Sequence, residues 1–221
     1  MAVQIQEIIR AIDHTNLDPQ TTEREILAFA EAAQGTGVAA LCVAPCYVET
    51  LVKHFHGGVP VCTVVGFPNG YEAPEIKALS ARYAFSHGAA EVDMVVPVGR
   101  IKAGDFGTVY HDVQMVLRER PAGGVLKVIL ETGALSDAEI IRTIETLNPL
   151  DIDFYKTSTG FKYPGASLHA AELIMAHKRD GIQLKVSGGI RTIEDARAYL
   201  ALGATRIGAS ALLAACLAAQ E

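Results

Sequence analysis

Eight times along the 221 residues, a short run of β-branched and apolar residues is followed by a longer amphipathic stretch. This alternation limits the fold more than any other feature of the chain. The runs are AIDHTNL (11–17), VAALCVA (38–44), VPVCTVVGF (59–67), AEVDMVV (90–96), GVLKVILET (124–132), DFYKTST (153–159), QLKVSGG (183–189) and ATRIGAS (204–210). Between them, stretches such as TTEREILAFAEAAQ and SLHAAELIMAHKRD place apolar residues at i, i+3 and i+4, the spacing of a helix with one buried face. Run starts recur roughly every 20–35 residues, the size of one βαβ unit. Ser136 with Glu139 forms a capping box, and Thr192 with Asp195 a close variant. Eight such units without a linker or composition shift predict an α/β fold, a single (β/α)8 TIM barrel over residues 1–221. Residues 1–10 are expected to add a short helix capping the barrel bottom. The fold typically takes about 250 residues, so the loops must be lean. An open doubly wound sheet fits less well, because no G-x-G-x-x-G follows the first run and charges interrupt too many strands.

Those charges carry the functional signal. Asp13, Asp93, Lys127, Glu131, Lys156 and Lys185 all fall late in their strands, where barrel active sites form. A barrel core of Val, Ile and Leu does not gather lysines and carboxylates for stability, since packed apolar groups in their place are often neutral or stabilising. Lys156 and Lys185 fall at comparable heights on the sixth and seventh strands. Two like charges about 4 Å apart repel by about 4 kcal/mol at an effective dielectric of 20. The cheapest response is for one lysine to lose its proton, helped by desolvation. A neutral lysine is a nucleophile for carbonyls and forms a Schiff base. Lys156 is the expected nucleophile, Lys185 the cation that keeps it neutral, and Asp93 the group that moves a proton, directly or through a water.

A second signal lies at the last two strand ends. SGGIRT (187–192) and GAS (208–210) place small residues there, with a helix start after each. Glycine lets backbone N–H groups approach an anion, and the loops after strands seven and eight are where barrels commonly bind phosphate. Gly188, Gly189, Gly208 and Ser210 are therefore phosphate candidates, with Gly160 contributing; the hydroxyls of Thr157, Ser158 and Thr159 can orient water or substrate.

Composition excludes other classes. A formal net charge of −6 gives no basic face for nucleic acid, although an acidic protein can still bind a small anion locally. The apolar run ASALLAACLAA is about half of what a membrane-spanning helix needs, and the first twenty residues carry no secretory signal, so a cytoplasmic chain without membrane partners is expected. The four cysteines form no C-x-x-C pair and read as small hydrophobes, with Cys42, late in its strand, as the exception. His54 and His56 lie late in a helix, exposed and without a nearby carboxylate, which does not fit a catalytic zinc site with three protein ligands.

IDHTNL, LCVAP, VVGFPNG, EVDMVVPVG, KVILETGAL, KTSTGF, KVSGGIRT and RIGAS resemble, in order, the blocks of deoxyribose-phosphate aldolases, over about residues 11 to 210. The resemblance implies a class I aldolase without metal or other cofactor, which reversibly cleaves 2-deoxy-D-ribose 5-phosphate to D-glyceraldehyde 3-phosphate and acetaldehyde. Its partners would be the phosphosugar and aldehyde substrates and further copies of the chain, as a homodimer or homotetramer. By motif, Lys156 matches the Schiff-base lysine, Lys185 the lysine that tunes it and Asp93 the proton-shuttling aspartate. Asp13 and Thr15 match positions near the substrate hydroxyl end, and Cys42 a cysteine lining the site. Several positions depart from the pattern: Pro97 stands where asparagine is common, Leu79-Ser80-Ala81 where a glutamate is usual, and Tyr155, expected to face the helices, where valine is more common. The sequence ends in AAQE, without the tyrosine that ends some members.

Three other readings share parts of this pattern. A phosphosugar isomerase would use the phosphate end but not a neutral lysine. A metal-dependent aldolase would need the histidines, and a phosphosugar-binding protein would not need Lys156, Lys185 and Asp93 together.

Overall fold

In the computed structural model, which describes residues 3–220, eight parallel strands close in sequence order into one barrel, β1 pairing with both β2 and β8. The strands are β1 (Ile12–Asn16), β2 (Ala40–Val43), β3 (Val61–Val65), β4 (Glu91–Val95), β5 (Val125–Ile129), β6 (Phe154–Lys156), β7 (Gln183–Ser187) and β8 (Arg206–Ala209). Each falls inside one of the eight sequence runs. The ring leaves no edge, so an open sheet is excluded.

Helices follow every strand: α2 (Glu23–Glu31), α3 (Val48–Phe55), α4 (Pro74–Ser86), α6 (Phe106–Leu117), α7 (Asp137–Leu147), α8 (Leu168–His177), α9 (Ile193–Ala201) and α10 (Leu212–Ala218). A short α5 (Val98–Lys102) precedes α6. Pro97, the departure in the fourth loop, is the residue that caps the start of α5. The expected capping boxes form at Ser136 and Thr192, and Thr22 with Glu25 makes a third on α2. Of the helix expected over 1–10, residues 1 and 2 lie outside the described residues, as does Glu221. The remainder is α1 (Ile5–Ala11), which packs against α9 and α10.

Alternation along each strand sorts residues into two environments. One set points to the helices and forms the main core: Ile12, Leu41, Val92, Met94, Leu126, Val128, Leu184, Val186 and Ile207 are all buried there. Full burial of one such side chain contributes about 1.5–3 kcal/mol. Tyr155 belongs to this set, as expected. Its hydroxyl donates to the Ile144 carbonyl and to Asn148 Oδ1, 3.1 Å each. The other set points into the lumen, where a small apolar cluster forms among the described residues: Ala40, Cys42, Cys62 and Val64.

Lys77 on α4 is buried outside the barrel. It donates to Asp112 Oδ2 on α6 at 2.7 Å and to the Val95 carbonyl at 2.9 Å, tying two helices to the end of β4. Breaking a buried pair of this kind by removing one partner leaves an uncompensated charge.

His14, on the helix-facing side of β1, stacks on Phe29 of α2 with ring centroids 4.0 Å apart, and its Nδ1 has no hydrogen-bond partner. Burial lowers its pKa to about 4. An unfolded histidine titrates near 6.5. Between those values the unfolded chain binds a proton that the folded chain refuses, so stability is intact above this window and is lost as pH falls through it. This loss should reach about 2 kcal/mol at pH 5 relative to pH 7. Urea unfolding at the two pH values checks it: His14→Phe, which keeps a ring against Phe29, should shrink the gap by that amount. An unchanged gap would assign the acid sensitivity to other groups.

Candidate functional site

The lumen is charged. Lys127, Lys185 and Arg206 face Asp13, Glu91 and Asp93, with Lys156 beside Asp93. Strand register brings them together. Asp93 pairs with Lys127 across β4–β5, Lys156 with Lys185 across β6–β7, and Lys185 with Arg206 across β7–β8. Neighbouring strands therefore present these side chains inward at adjacent levels.

Asp93 is the hub. Its Oδ2 accepts from Lys156 Nζ and from Lys185 Nζ at 2.7 Å each, so the two nitrogens lie no further apart than twice that distance. Its Oδ1 accepts from Lys127 Nζ at 2.8 Å and from Cys62 Sγ at 3.2 Å. Lys185 also donates to Asp13, and Arg206 donates to Asp13 Oδ1 at 2.6 Å and to Glu91. Lys127 reaches Glu91 Oε2 at 2.5 Å.

For Lys127, Lys185, Arg206, Asp13 and Asp93, burial opposes the charge and the partners win. Burial disfavours charge on Lys185, but Asp13 and Asp93 outweigh it and hold the ammonium well above the ordinary lysine range. Lys127 is raised in the same way, chiefly by Asp93. Burial pushes Asp93 up, yet Lys127, Lys156 and Lys185 together hold it well below the carboxylate range; Asp13 is lowered against burial by Lys185, Lys127 and Arg206. Three permanent cations, Lys127, Lys185 and Arg206, thus match three carboxylates, Asp13, Glu91 and Asp93. Lys156 is the cation left over.

This geometry changes one sequence expectation. Lys156 and Lys185 do not face each other directly, because an Asp93 oxygen sits between them. Bare repulsion between two lysines is therefore replaced by a count over the whole lumen. Glu91 and Arg206 escaped the sequence reading, although each lies two residues before a residue assigned to the site, Asp93 and Gly208, and so shares its face. Cys62 was read as a small hydrophobe. Instead it donates to Asp93 and accepts from Lys127 at 3.3 Å.

The expected substrate residues divide by accessibility. Thr15, Thr159 and Ser210 meet in a cleft of about 690 Å³ together with Asn16 and Phe161. Gly160 and Gly189 are exposed and left-handed, with φ of +80° and +83°. Asp13 and Cys42, by contrast, are fully buried in the lumen. The Thr159 hydroxyl is already committed: it donates to Glu131 Oε2 at 2.5 Å and accepts from Phe161 N. Gly208 lies within β8, where an added Cβ would sit 2.3 Å from Ser187 Oγ and 3.1 Å from Lys185 Cε. The missing side chain makes room for Lys185. Gly188, at φ +90°, packs on Gly165 and Gly160 so closely that a Cβ would lie 2.8 Å from the Gly165 Cα. The start of α9 is capped by its own Thr192 and carries Glu194 and Asp195 in its first turn, which leaves it ill suited to an anion. A larger cleft, about 900 Å³, lies on the far side of Glu131 between α5, α6 and Lys162 and contains none of the lumen lysines.

For a metal, ligand atoms of Cys42, Cys62 and Asp93 lie within 4.8 Å of one another. Lys127 and Lys185 already hold Asp93, and their charge opposes a cation there. His54 does have a carboxylate nearby, contrary to the sequence expectation: Glu31 Oε1 is 3.4 Å from its Nε2, both side chains largely exposed.

Residues 7–218 match the family model described as DeoC/LacD family aldolase. The chain is 43% identical to deoxyribose-phosphate aldolase 1 of Bacillus licheniformis, over 93% of both chains. It is 42% identical to the deoxyribose-phosphate aldolase of Listeria monocytogenes, over 92% of both. Its structure resembles that of the tetrameric deoxyribose phosphate aldolase from Aeropyrum pernix, with a TM-score of 0.86 at 26% identity, covering 99% of this chain and 93% of the other.

The charge count predicts that the lumen lysines are not equivalent for stability. Lys127→Met should cost about 3–5 kcal/mol in urea unfolding, because it strands buried carboxylates. Lys156→Met should cost less than about 1 kcal/mol, because it removes no charge that the lumen needs. Equal losses from the two would contradict the count.

Proposed function

The chain belongs to the DeoC/LacD family of aldolases and is accordingly an enzyme of the lyase class; from that premise we propose that it reversibly cleaves 2-deoxy-D-ribose 5-phosphate to D-glyceraldehyde 3-phosphate and acetaldehyde through a Schiff base on Lys156. The whole chain acts as one catalytic domain. The observation that carries the proposal is the surplus lysine: Lys156 sits at the C-terminal end of β6, bonded to a carboxylate whose charge is already matched by other cations.

In the cleavage direction, the Lys156 amine attacks C1 of the open-chain sugar. A C–N bond forms and the carbonyl oxygen leaves as water, giving an iminium. Loss of the proton from the C3 hydroxyl drives cleavage of the C2–C3 bond. The bonding pair moves into the iminium to form an enamine, and D-glyceraldehyde 3-phosphate departs. Protonation at C2 and hydrolysis of the imine release acetaldehyde and return the free amine. Asp93, acting through a water, takes and returns these protons. Lys185 and Lys127 keep Asp93 ionised and so available as a base. Thr15 and Asp13 serve the sugar hydroxyl end, Cys42 lines the lumen beside them, and Gly160, Gly188, Gly189 and Ser210 receive the phosphate. Thr159 contributes through the turn it holds, and Gly208 through the space it leaves for Lys185.

The protein works in the cytoplasm as a homodimer or homotetramer. No helix among the described residues is long and apolar enough to cross a membrane. Ile76, Leu79 and Tyr83 form an exposed stripe at i, i+3 and i+7 on α4, beside exposed Tyr71, which supports contact with a second copy.

Borohydride reduction in the presence of acetaldehyde, followed by peptide mass spectrometry, tests the assignment. A reduced two-carbon adduct is expected on the peptide bearing Lys156, and Lys156→Ala should lower kcat by about 10³-fold or more. An adduct on another lysine would contradict the role given to Lys156.

A further inference from the structure

Glu131 has no part in the chemistry just described, yet it combines two unfavourable features. It is a non-glycine residue in the left-handed region, at φ +57° and ψ +55°. Such a conformation costs of the order of 1 kcal/mol or more and persists where the surroundings impose it. The residue is also only 2% exposed, and its carboxylate makes no ion pair among the described residues. A turn that needed only the backbone shape would be served by glycine or asparagine, without a buried charge.

What the side chain does is hold one residue twice. Oε2 accepts from the Thr159 hydroxyl at 2.5 Å, and Oε1 from the Thr159 backbone N–H at 3.2 Å. Thr159 Oγ1 in turn accepts from Phe161 N at 3.3 Å. The residue between them is Gly160, whose added Cβ would lie 3.2 Å from the Gly188 Cα. A chain of contacts therefore runs from the end of β5 through the Thr159–Phe161 turn to the glycines after β7. Neighbouring contacts brace the same segment: Thr132 N donates to the Thr157 carbonyl, and Thr157 N to the Lys185 carbonyl. Both Thr159 donors point at Glu131.

We propose that Glu131 is a positioning residue for the phosphate end of the substrate: by fixing the Thr159–Phe161 turn, it keeps Gly160 seated against Gly188. The inference rests on the phosphate assignment made above. It predicts that Glu131 acts on recognition of the phosphate and leaves formation of the Schiff base alone.

The test compares 2-deoxyribose 5-phosphate with unphosphorylated 2-deoxyribose in the wild type, Glu131→Gly and Glu131→Gln. Glycine accepts the left-handed backbone and removes the carboxylate without straining the fold. Glutamine keeps the shape and one acceptor. For Glu131→Gly, kcat/KM for the phosphorylated sugar should fall by about 10-fold or more, chiefly through KM, with Glu131→Gln recovering part of the loss. For the unphosphorylated sugar, and for the rate of borohydride trapping with acetaldehyde, the change should stay within about 2-fold. Equal losses for both sugars, or no loss for either, would overturn the positioning role. Failure of the wild type to trap acetaldehyde or to favour the phosphorylated sugar would instead overturn the underlying reading.

Discussion

Asp93 binds three lysines with one carboxylate, and that cluster governs how the rest of the barrel interior is built. Charges enclosed by a closed sheet lose their hydration and must be matched by one another. Asp13 and Glu91 complete the match by holding Lys127, Lys185 and Arg206. Once these are paired, Lys156 is left to share Asp93 with two other lysines, and this crowding is the ground for proposing it as the free amine. The same cations keep Asp93 ionised although it is buried.

This arrangement divides the strands into two tasks. Helix-facing residues such as Val92, Met94, Leu126 and Val128 supply the packing that stabilises the fold. Lumen-facing residues are mostly ionic and add little to stability, since buried ions are weak stabilisers compared with apolar groups of the same size. Gly208 shows how tightly the two are fitted, because any side chain there would displace Lys185 or Ser187. At the mouth the backbone takes over. Left-handed glycines and the Glu131–Thr159 bonds shape the loops there.

Much of this was legible in the residues. Hydrophobic periodicity located all eight strands, because burial against helices imposes an alternation that local sequence records. Lys156, Lys185 and Asp93 stood out because ions interrupt strands that otherwise read as core. Arg206 and Glu91 were less visible, since each sits near the start of its strand, where a charge reads as a solvated end. The bridging of two lysines by one Asp93 oxygen could not be read at all. It depends on register across three strands that are not adjacent in sequence, and on how far each side chain extends. Thr159 was read as a hydroxyl for water or substrate, and its capture by Glu131 again depends on a contact between separate loops.

Neutron diffraction from deuterated crystals at pH 7, with no substrate bound, addresses the central claim most directly, because it counts the hydrogens on each lumen nitrogen. The account predicts two deuterons on Lys156 Nζ and three on each of Lys127 Nζ and Lys185 Nζ, with none on the Asp93 carboxylate. Three deuterons on Lys156 Nζ would contradict it.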